Sequence, residues 1–228
     1  MKHTLFAISI VVFLCAFSSC GKTKAGSSSP EDTISKDASY ALGMNVGTSL
    51  KTDYLYPDLD EFVKGIKDVL YDSETRFPID EAYQIFNEAF SAAQDKRNTT
   101  NREAETDFLA ENREKPGILV TDSGLQYEVV TEGDGPKPTS SDKVRVHYEG
   151  ALTDGTVFDS SYSRGEPLEF ALNAVIPGWT EGLQLMNVGS TYRLFIPSNL
   201  GYGSQGAGNQ IPPYSTLVFE VELLDIVQ

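Results

Sequence analysis

The chain has 228 residues, 40% of them hydrophobic, which is enough for a full apolar core and for one or two domains. Its formal net charge of −15 disfavours nucleic acid and anionic lipid surfaces as partners. The sequence contains two cysteines and two histidines, so it offers no histidine- or cysteine-rich metal site, and we expect neither a metal nor a cofactor.

The N-terminus has the organisation of a targeting segment. The apolar run Leu5–Phe17 is too short to span a membrane but suits the central part of a signal peptide. It leads into F-S-S-C at residues 17–20, which resembles a bacterial lipoprotein signal. The resemblance implies that residues 1–19 are removed, that Cys20 carries the lipid, and that residues 20–30 form a flexible tether. We therefore expect a lipid-anchored protein of the bacterial cell envelope, at the outer membrane or on the periplasmic face. The alternative is an incidental cysteine in a removed signal.

Residues 31–116 are predicted to form a helical domain. Apolar residues recur at helical spacing over residues 34–50 and 58–71, which predicts two short amphipathic helices. A third helix is predicted from Asp80, as its cap, to about Glu114, because this stretch contains no Gly or Pro. Its first part has an apolar face, whereas residues 94–107 are almost wholly polar. A helix that is polar all round is typical of a solvent-spanning spacer, so we interpret this part as a bare stalk.

These helices offer only a small hydrophobic core, below the size at which an isolated domain is comfortably stable. Association with a second copy of the chain would supply the missing burial. We therefore expect a homodimer held together by the helical domain. A monomeric three-helix bundle remains the alternative.

The pattern changes from helical to alternating at Gly117, so residues 117–228 are predicted to form a second domain. A short helix is predicted within Val175–Met186, with Pro177 in its first turn and Gly189 just past its end. Strands are predicted around it at residues 125–130, 143–152, 157–159, 168–172, 192–196 and 217–223. This order indicates an α+β fold, in which an antiparallel β-sheet is wrapped on one short helix.

One glycine-rich segment imitates a nucleotide-binding motif. Residues 201–206 read G-x-G-x-x-G, the dinucleotide fingerprint. In that fingerprint the glycines open a helix, whereas here Pro212-Pro213 and a strand follow. We therefore reject a dinucleotide site.

Several motifs in the second domain carry a family pattern. They are V-x-V-H-Y-x-G-x-L-x-D-G-x-x-F-D-S-S at 144–161, V-I-P-G-W-x-E-G-L at 175–183, I-P-P at 211–213 and L-x-F-x-V-E-L at 217–223. In these motifs the chain resembles the FKBP-type peptidyl-prolyl isomerases. The helical half, with S-Y-A-L-G at 39–43, resembles the dimerisation domain of the macrophage infectivity potentiator group.

The resemblance implies both the activity and the site. Trp179 would form the floor of an apolar proline pocket, Arg164 would orient Asp159, and Leu168 takes a position where an aromatic residue is common. The remaining site residues that it implies are the pocket lining Tyr148, Phe158, Val175, Ile176 and Phe219, the second polar group Tyr202, and the overhanging Ile211.

The implied function is a peptidyl-prolyl cis-trans isomerase that assists the folding of exported envelope proteins. Its substrates would be unfolded or proline-containing polypeptides. The resemblance also implies binding of macrolides of the tacrolimus and rapamycin type, which Leu168, Ala207 and Gln210 put in doubt. The alternative function is a non-catalytic chaperone or adhesion module with a vestigial proline pocket.

Overall fold

The computed structural model describes residues 34–227. These residues divide into two units, with the boundary between Met44 and Asn45. The predicted signal peptide, Cys20 and the tether lie outside the described residues. Within residues 34–227, no helix is long and apolar enough to cross a membrane.

The three predicted N-terminal helices are confirmed. Asp58 caps the second helix, because its carboxylate accepts hydrogen bonds from the Asp60 and Glu61 N–H groups at 3.0 and 3.1 Å. The prediction that Asp80 caps the third helix is wrong. Pro78 occupies the cap position, and Asp80 lies in the first turn, where its charge complements the helix dipole. The helices are α1 Lys36–Thr52, α2 Leu59–Leu70 and α3 Ile79–Arg113.

The C-terminal half is a seven-stranded antiparallel sheet with one main helix. Its strands are β1 Ile118–Val120, β2 Gln126–Thr131, β3 Lys143–Leu152, β4 Val157–Ser160, β5 Leu168–Ala171, β6 Thr191–Ile196 and β7 Leu217–Val227. The strand order is β1-β2-β6-β7-β3-β4, and β5 also pairs with β3. Two further helices are α4 Ser161–Arg164 and α5 Pro177–Leu185. All predicted strands are present, and the sequence missed β1, whose three residues are too few to show alternation.

The core lies between α5 and the sheet. Trp179, Leu183 and Met186 are buried, as are the alternating side chains of β3 and β7. The glycines of α5 allow this close approach: a Cβ atom at Gly182 would lie 2.7 Å from Leu194 Cδ1. The prediction that Gly189 ends α5 is wrong, because the helix ends at Leu185 and Met186 is already extended.

The polar part of α3 is not the bare stalk that the sequence predicted. Its side chains hydrogen-bond to the sheet half: Asn101 donates to the Pro213 carbonyl at 2.8 Å, and the Glu105 carboxylate accepts a hydrogen bond from the Ser198 hydroxyl at 2.9 Å. Amphipathic periodicity detects only apolar burial, so a helix face that packs through hydrogen bonds looks solvent-exposed in the sequence.

Candidate active site

A cavity of about 840 Å³ lies beside the first turn of α5, enclosed by β3, β4, β5, β7 and the segment after β6. Of the predicted site residues, Arg164 is the one that does not line it. The cavity-lining residues predicted from the sequence are Tyr148, Phe158, Asp159, Leu168, Val175, Ile176, Trp179, Tyr202, Ile211 and Phe219. Chain segments up to 71 residues apart, between Tyr148 and Phe219, thus meet at one cavity.

Aromatic rings form the floor and walls of this cavity. Trp179 is 5% exposed and meets the rings of Tyr148 and Phe219 edge-on, with centroids 5.0 and 5.1 Å away. Phe158 packs edge-on against Phe219 at 5.5 Å. The absence of a side chain at Gly150 on β3 allows this packing, because a Cβ atom there would lie 2.5 Å from Phe219 Cε1. The result is a cavity with aromatic walls, which suit contact with a small apolar ring.

Three polar side chains form a hydrogen-bonded cluster at the margin of the cavity. The Tyr148 hydroxyl and the Arg164 guanidinium each donate to the Asp159 carboxylate, and Arg164 Nη2 also donates to the Tyr148 hydroxyl at 2.8 Å. Arg164 ends the short helix α4, which Ser160 caps and Gly165 terminates with φ of 80°. Arg164 therefore contacts two cavity-lining residues, Asp159 and Tyr148, without lining the cavity itself, and its orienting role stays a prediction.

Within this cluster the pKa of Asp159 is lowered and the pKa of Tyr148 is raised. Burial raises the pKa of Asp159, but the hydrogen bonds from Tyr148 and Arg164 outweigh this and hold it below its ordinary value. Burial of Tyr148 and its hydrogen bond to ionised Asp159 raise the pKa of the Tyr148 hydroxyl. Near neutral pH the cluster thus holds a fixed carboxylate and a neutral phenol.

Tyr202 and Ile211 reach the cavity from the segment between β6 and β7. Tyr202 is 40% exposed, whereas Ile211 is buried and pairs with Ala207 through two backbone hydrogen bonds of 2.8 and 3.1 Å. Gly206 has φ of +61°, and a Cβ atom there would lie 2.2 Å from the Ile211 carbonyl oxygen. The G-x-G-x-x-G residues therefore form tight turns and do not open a helix.

Sequence reasoning missed several residues that support the pocket. Ser161 is fully buried, and its hydroxyl accepts a hydrogen bond from the Tyr148 N–H at 2.8 Å. The Phe170 ring lies 5.2 Å from that of Trp179, and Ala174 lines the cavity. Ser161 belongs to the D-S-S motif, which was the only signal that could have indicated it. No group of three or more His, Cys, Asp or Glu residues suited to a metal ion occurs in residues 34–227.

Both halves of the chain match known family models. Residues 135–224 match the FKBP-type peptidyl-prolyl cis-trans isomerase model, and residues 35–129 match the domain amino terminal to that isomerase. The chain belongs to the FKBP-type peptidyl-prolyl cis-trans isomerases. The predicted enzyme class and the isomerase activity are thereby confirmed, and the non-catalytic alternative is not favoured.

Full-length relatives share both halves with this isomerase. The FKBP-type 22 kDa peptidyl-prolyl cis-trans isomerase of Escherichia coli (strain K12) is 48% identical over 200 residues, which are 86% of this chain and 97% of the relative. The outer membrane protein MIP of Legionella longbeachae is 38% identical over 202 residues, covering 85% of this chain and 87% of that protein. The crystal structure of FkpA from Escherichia coli aligns with a TM-score of 0.67 at 38% identity, covering 84% of this chain and 95% of FkpA. The predicted combination of a helical N-terminal part and a C-terminal isomerase domain is confirmed.

Proposed function

We propose that the 840 Å³ cavity is the catalytic site and that Trp179 is the floor on which the substrate's proline ring lies. The observation that supports this most directly is the enclosure of Trp179 by Tyr148 and Phe219, with the ionised Asp159 at the margin. The apolar rings suit the proline side chain. The polar groups suit the carbonyls that flank it.

Such a pocket would catalyse rotation by removing water from the peptide bond. Amide resonance opposes rotation, and polar solvent strengthens that resonance by stabilising separated charge, so the uncatalysed barrier is about 20 kcal/mol. An apolar pocket destabilises the planar amide more than the twisted one, which has lost its resonance. This is differential binding of the transition state, and rotation breaks no covalent bond. A roughly thousandfold acceleration requires about 4 kcal/mol.

The polar side chains would hold the two sides of the rotating bond. The Tyr202 hydroxyl would donate to one substrate carbonyl, which fixes that side while the other turns. The Asp159 carboxylate, oriented by Tyr148 and Arg164, would face the neighbouring carbonyl group, whose carbon carries partial positive charge. Val175, Ile176 and Ile211 would cover the proline ring from the rim.

A proline-limited refolding reaction tests these roles. Asp159→Ala and Tyr202→Phe are expected to lower the catalysed rate, the latter by about two- to twelvefold, because a single neutral hydrogen bond contributes about 0.5–1.5 kcal/mol. Tyr162→Phe is the matched control, since Tyr162 stacks on His147 and does not line the cavity. Equal acceleration by the wild type and both site variants would contradict the catalytic assignment and favour a non-catalytic chaperone.

We also propose that the chain is a homodimer joined through its helical part. α2 exposes a stripe of apolar side chains, among them Leu59 at 68% and Val69 at 59% exposure. A cavity of about 570 Å³ between α2 and the start of α3 extends this surface through Phe77 and Ile79. An apolar stripe of this kind, rimmed by charges, is typical of a surface that another copy covers.

Light scattering tests the dimer. Ile66→Glu/Val69→Glu places charges on the exposed stripe of α2 and is expected to yield monomers that remain folded. Val130→Glu adds one negative charge to an exposed apolar position on β2, outside the helical part, so it is expected to leave the dimer intact. A monomeric wild type would contradict the proposal.

The proposed location is the bacterial cell envelope, with a lipid on Cys20. The F-S-S-C motif supports it, as does the relative named an outer membrane protein. Incorporation of radiolabelled palmitate is expected in the wild type but not in Cys20→Ala. Protease treatment of intact cells would then report whether the isomerase is surface-exposed. The proposed clients are exported proteins that fold in the envelope.

Macrolide binding is a further proposal about the same cavity. Leu168, Ala207 and Gln210 line it, and each departs from the larger or more apolar residues common in macrolide-binding members of the family. We therefore expect tacrolimus to inhibit the isomerase only weakly. Inhibition titrations with the peptide substrate measure this.

A further inference from the structure

The segment between β6 and β7, residues 197–216, is tied to helix α3 near both of its ends. We call it the site loop, because it carries Tyr202 and Ile211 into the cavity. At its start, the Glu105 carboxylate accepts hydrogen bonds from the Ser198 N–H and, at 2.9 Å, from the Ser198 hydroxyl. Only three residues separate Ser198 from Tyr202, so this contact fixes the backbone close to a proposed catalytic hydroxyl.

The end of the site loop is held by the neighbouring turn of the same helix. Asn101 Nδ2 donates to the Pro213 carbonyl at 2.8 Å. The Arg102 guanidinium lies 4.1 Å above the Tyr214 ring and donates to its hydroxyl. Two residues separate Ile211 from Tyr214, so along the chain this second anchor lies even nearer to Ile211 than the first does to Tyr202.

The conformation of the loop needs such external support. Tyr214 has φ of +59°, a left-handed backbone conformation that a bulky residue adopts only when its surroundings enforce it. Its N–H donates to the Gly203 carbonyl at 2.9 Å, which closes the loop on itself. Between the anchors, Gln205 and Asn209 line a cavity of about 160 Å³, which Gln94 and Arg97 of α3 also line.

We propose that α3 positions the site loop for catalysis, with Asn101, Arg102 and Glu105 as positioning residues. They hold Tyr202 and Ile211 over the proline pocket but do not touch the substrate themselves. The helix is then part of the catalytic apparatus as well as a connection between the two parts of the chain. The inference rests on the proposed roles of Tyr202 and Ile211.

Release of the anchors would affect substrate binding more than turnover. A released loop would populate several positions, and the apparent affinity would fall by the fraction of molecules in the competent one. For Asn101→Ala/Glu105→Ala in the full-length protein, we expect KM for an X-Pro tetrapeptide to rise about five- to tenfold, with kcat within about twofold of wild type. Glu105→Gln alone keeps one acceptor oxygen and is expected to have a smaller effect.

The matched control breaks a contact of the same helix that does not involve the site loop. Asn112 is buried and joins α3 to Gln126 on β2. Asn112→Ala should therefore lower stability while leaving KM within about twofold of wild type. A rise in KM equal to that of the double variant would mean that any loosening of α3 has this effect, and the positioning role would be overturned.

Amide hydrogen exchange provides a readout that is independent of catalysis. The Ala207, Ile211 and Tyr214 N–H groups donate hydrogen bonds within the site loop. In the double variant these amides should exchange about tenfold faster, with the Tyr148 amide of β3 unchanged. Unchanged loop exchange, or faster exchange with unchanged KM, would overturn the proposal. An inactive wild type would instead refute the proposed function, and the exchange rates would still show whether the anchors hold the loop.

Discussion

Gly150→Ala is the sharpest single test of how the pocket is built. The added Cβ atom would lie 2.5 Å from Phe219 Cε1 and 2.8 Å from Phe158 Cε2. Real Cβ atoms do not approach other atoms so closely, so both rings must move or β3 must shift. Both rings line the cavity, and Phe219 also supports Trp179.

The size of the effect follows from these contacts. Overpacking by one methyl group in a dense core costs about 1–3 kcal/mol, and in a unit of the size of Asn45–Gln228 each kcal/mol lowers the melting temperature by roughly 2–4 °C. Displacement of the rings should also reduce complementarity to the twisted peptide bond. We expect kcat/KM to fall about tenfold, equivalent to about 1.4 kcal/mol.

Gly135→Ala separates the two effects. Its Cβ atom would lie 2.7 Å from Val188 Cβ, a comparable clash at a site that does not line the cavity. Thermal unfolding should show destabilisation of both variants, whereas the tetrapeptide assay, at a temperature where both are folded, should show a loss of kcat/KM in Gly150→Ala alone. Equal kcat/KM in the two variants would refute the view that Gly150 shapes the pocket.

Three further predictions concern stability. Ser161→Ala leaves the buried Tyr148 N–H without its acceptor and should lower the free energy of unfolding by about 1–3 kcal/mol in urea denaturation; an unchanged midpoint would contradict this. Asp58→Ala removes the cap of α2 and should cost about 1 kcal/mol, visible as reduced helicity by circular dichroism. Burial of Tyr192 and its hydrogen bond to Glu132 raise the pKa of Tyr192 to about 12, whereas an unfolded tyrosine titrates near pH 10. The unfolded chain therefore loses the Tyr192 proton at a lower pH than the folded chain does. The free energy of unfolding should keep its full value below about pH 10 and decrease as the pH rises towards 12. Tyr192→Phe should flatten that decline in an alkaline denaturation series.

The resemblance to the FKBP-type isomerases supplied the predicted site residues, and local patterns predicted the strands and the helix that carry several of them. Val144, Val146 and Tyr148 alternate along β3, and the structure buries all three. Pro177 starts α5 as expected, which places Trp179 in the first turn. In such stretches the local spacing alone indicates which side of the element faces the core.

Two errors concern helix ends. Asp80 and Gly189 fit the residue preferences of helix ends, but Pro78 caps α3 and α5 ends at Leu185, so residue preference alone does not determine a helix boundary. Ser161 carries no periodic signal, since its role is one hydrogen bond to the backbone of another strand.

The sequence by itself determined the α+β architecture and the spacing of apolar residues along the helices and strands. It also supplied the aromatic and acidic residues whose motifs resemble those of the FKBP-type isomerases. The tertiary structure decided that the polar face of α3 contacts the site loop, through Glu105 at Ser198 and Asn101 at Pro213. Apolar burial repeats along an element and so leaves a pattern in the sequence. A single hydrogen bond between residues about a hundred positions apart leaves no periodic pattern in the sequence, so only the folded chain reveals it.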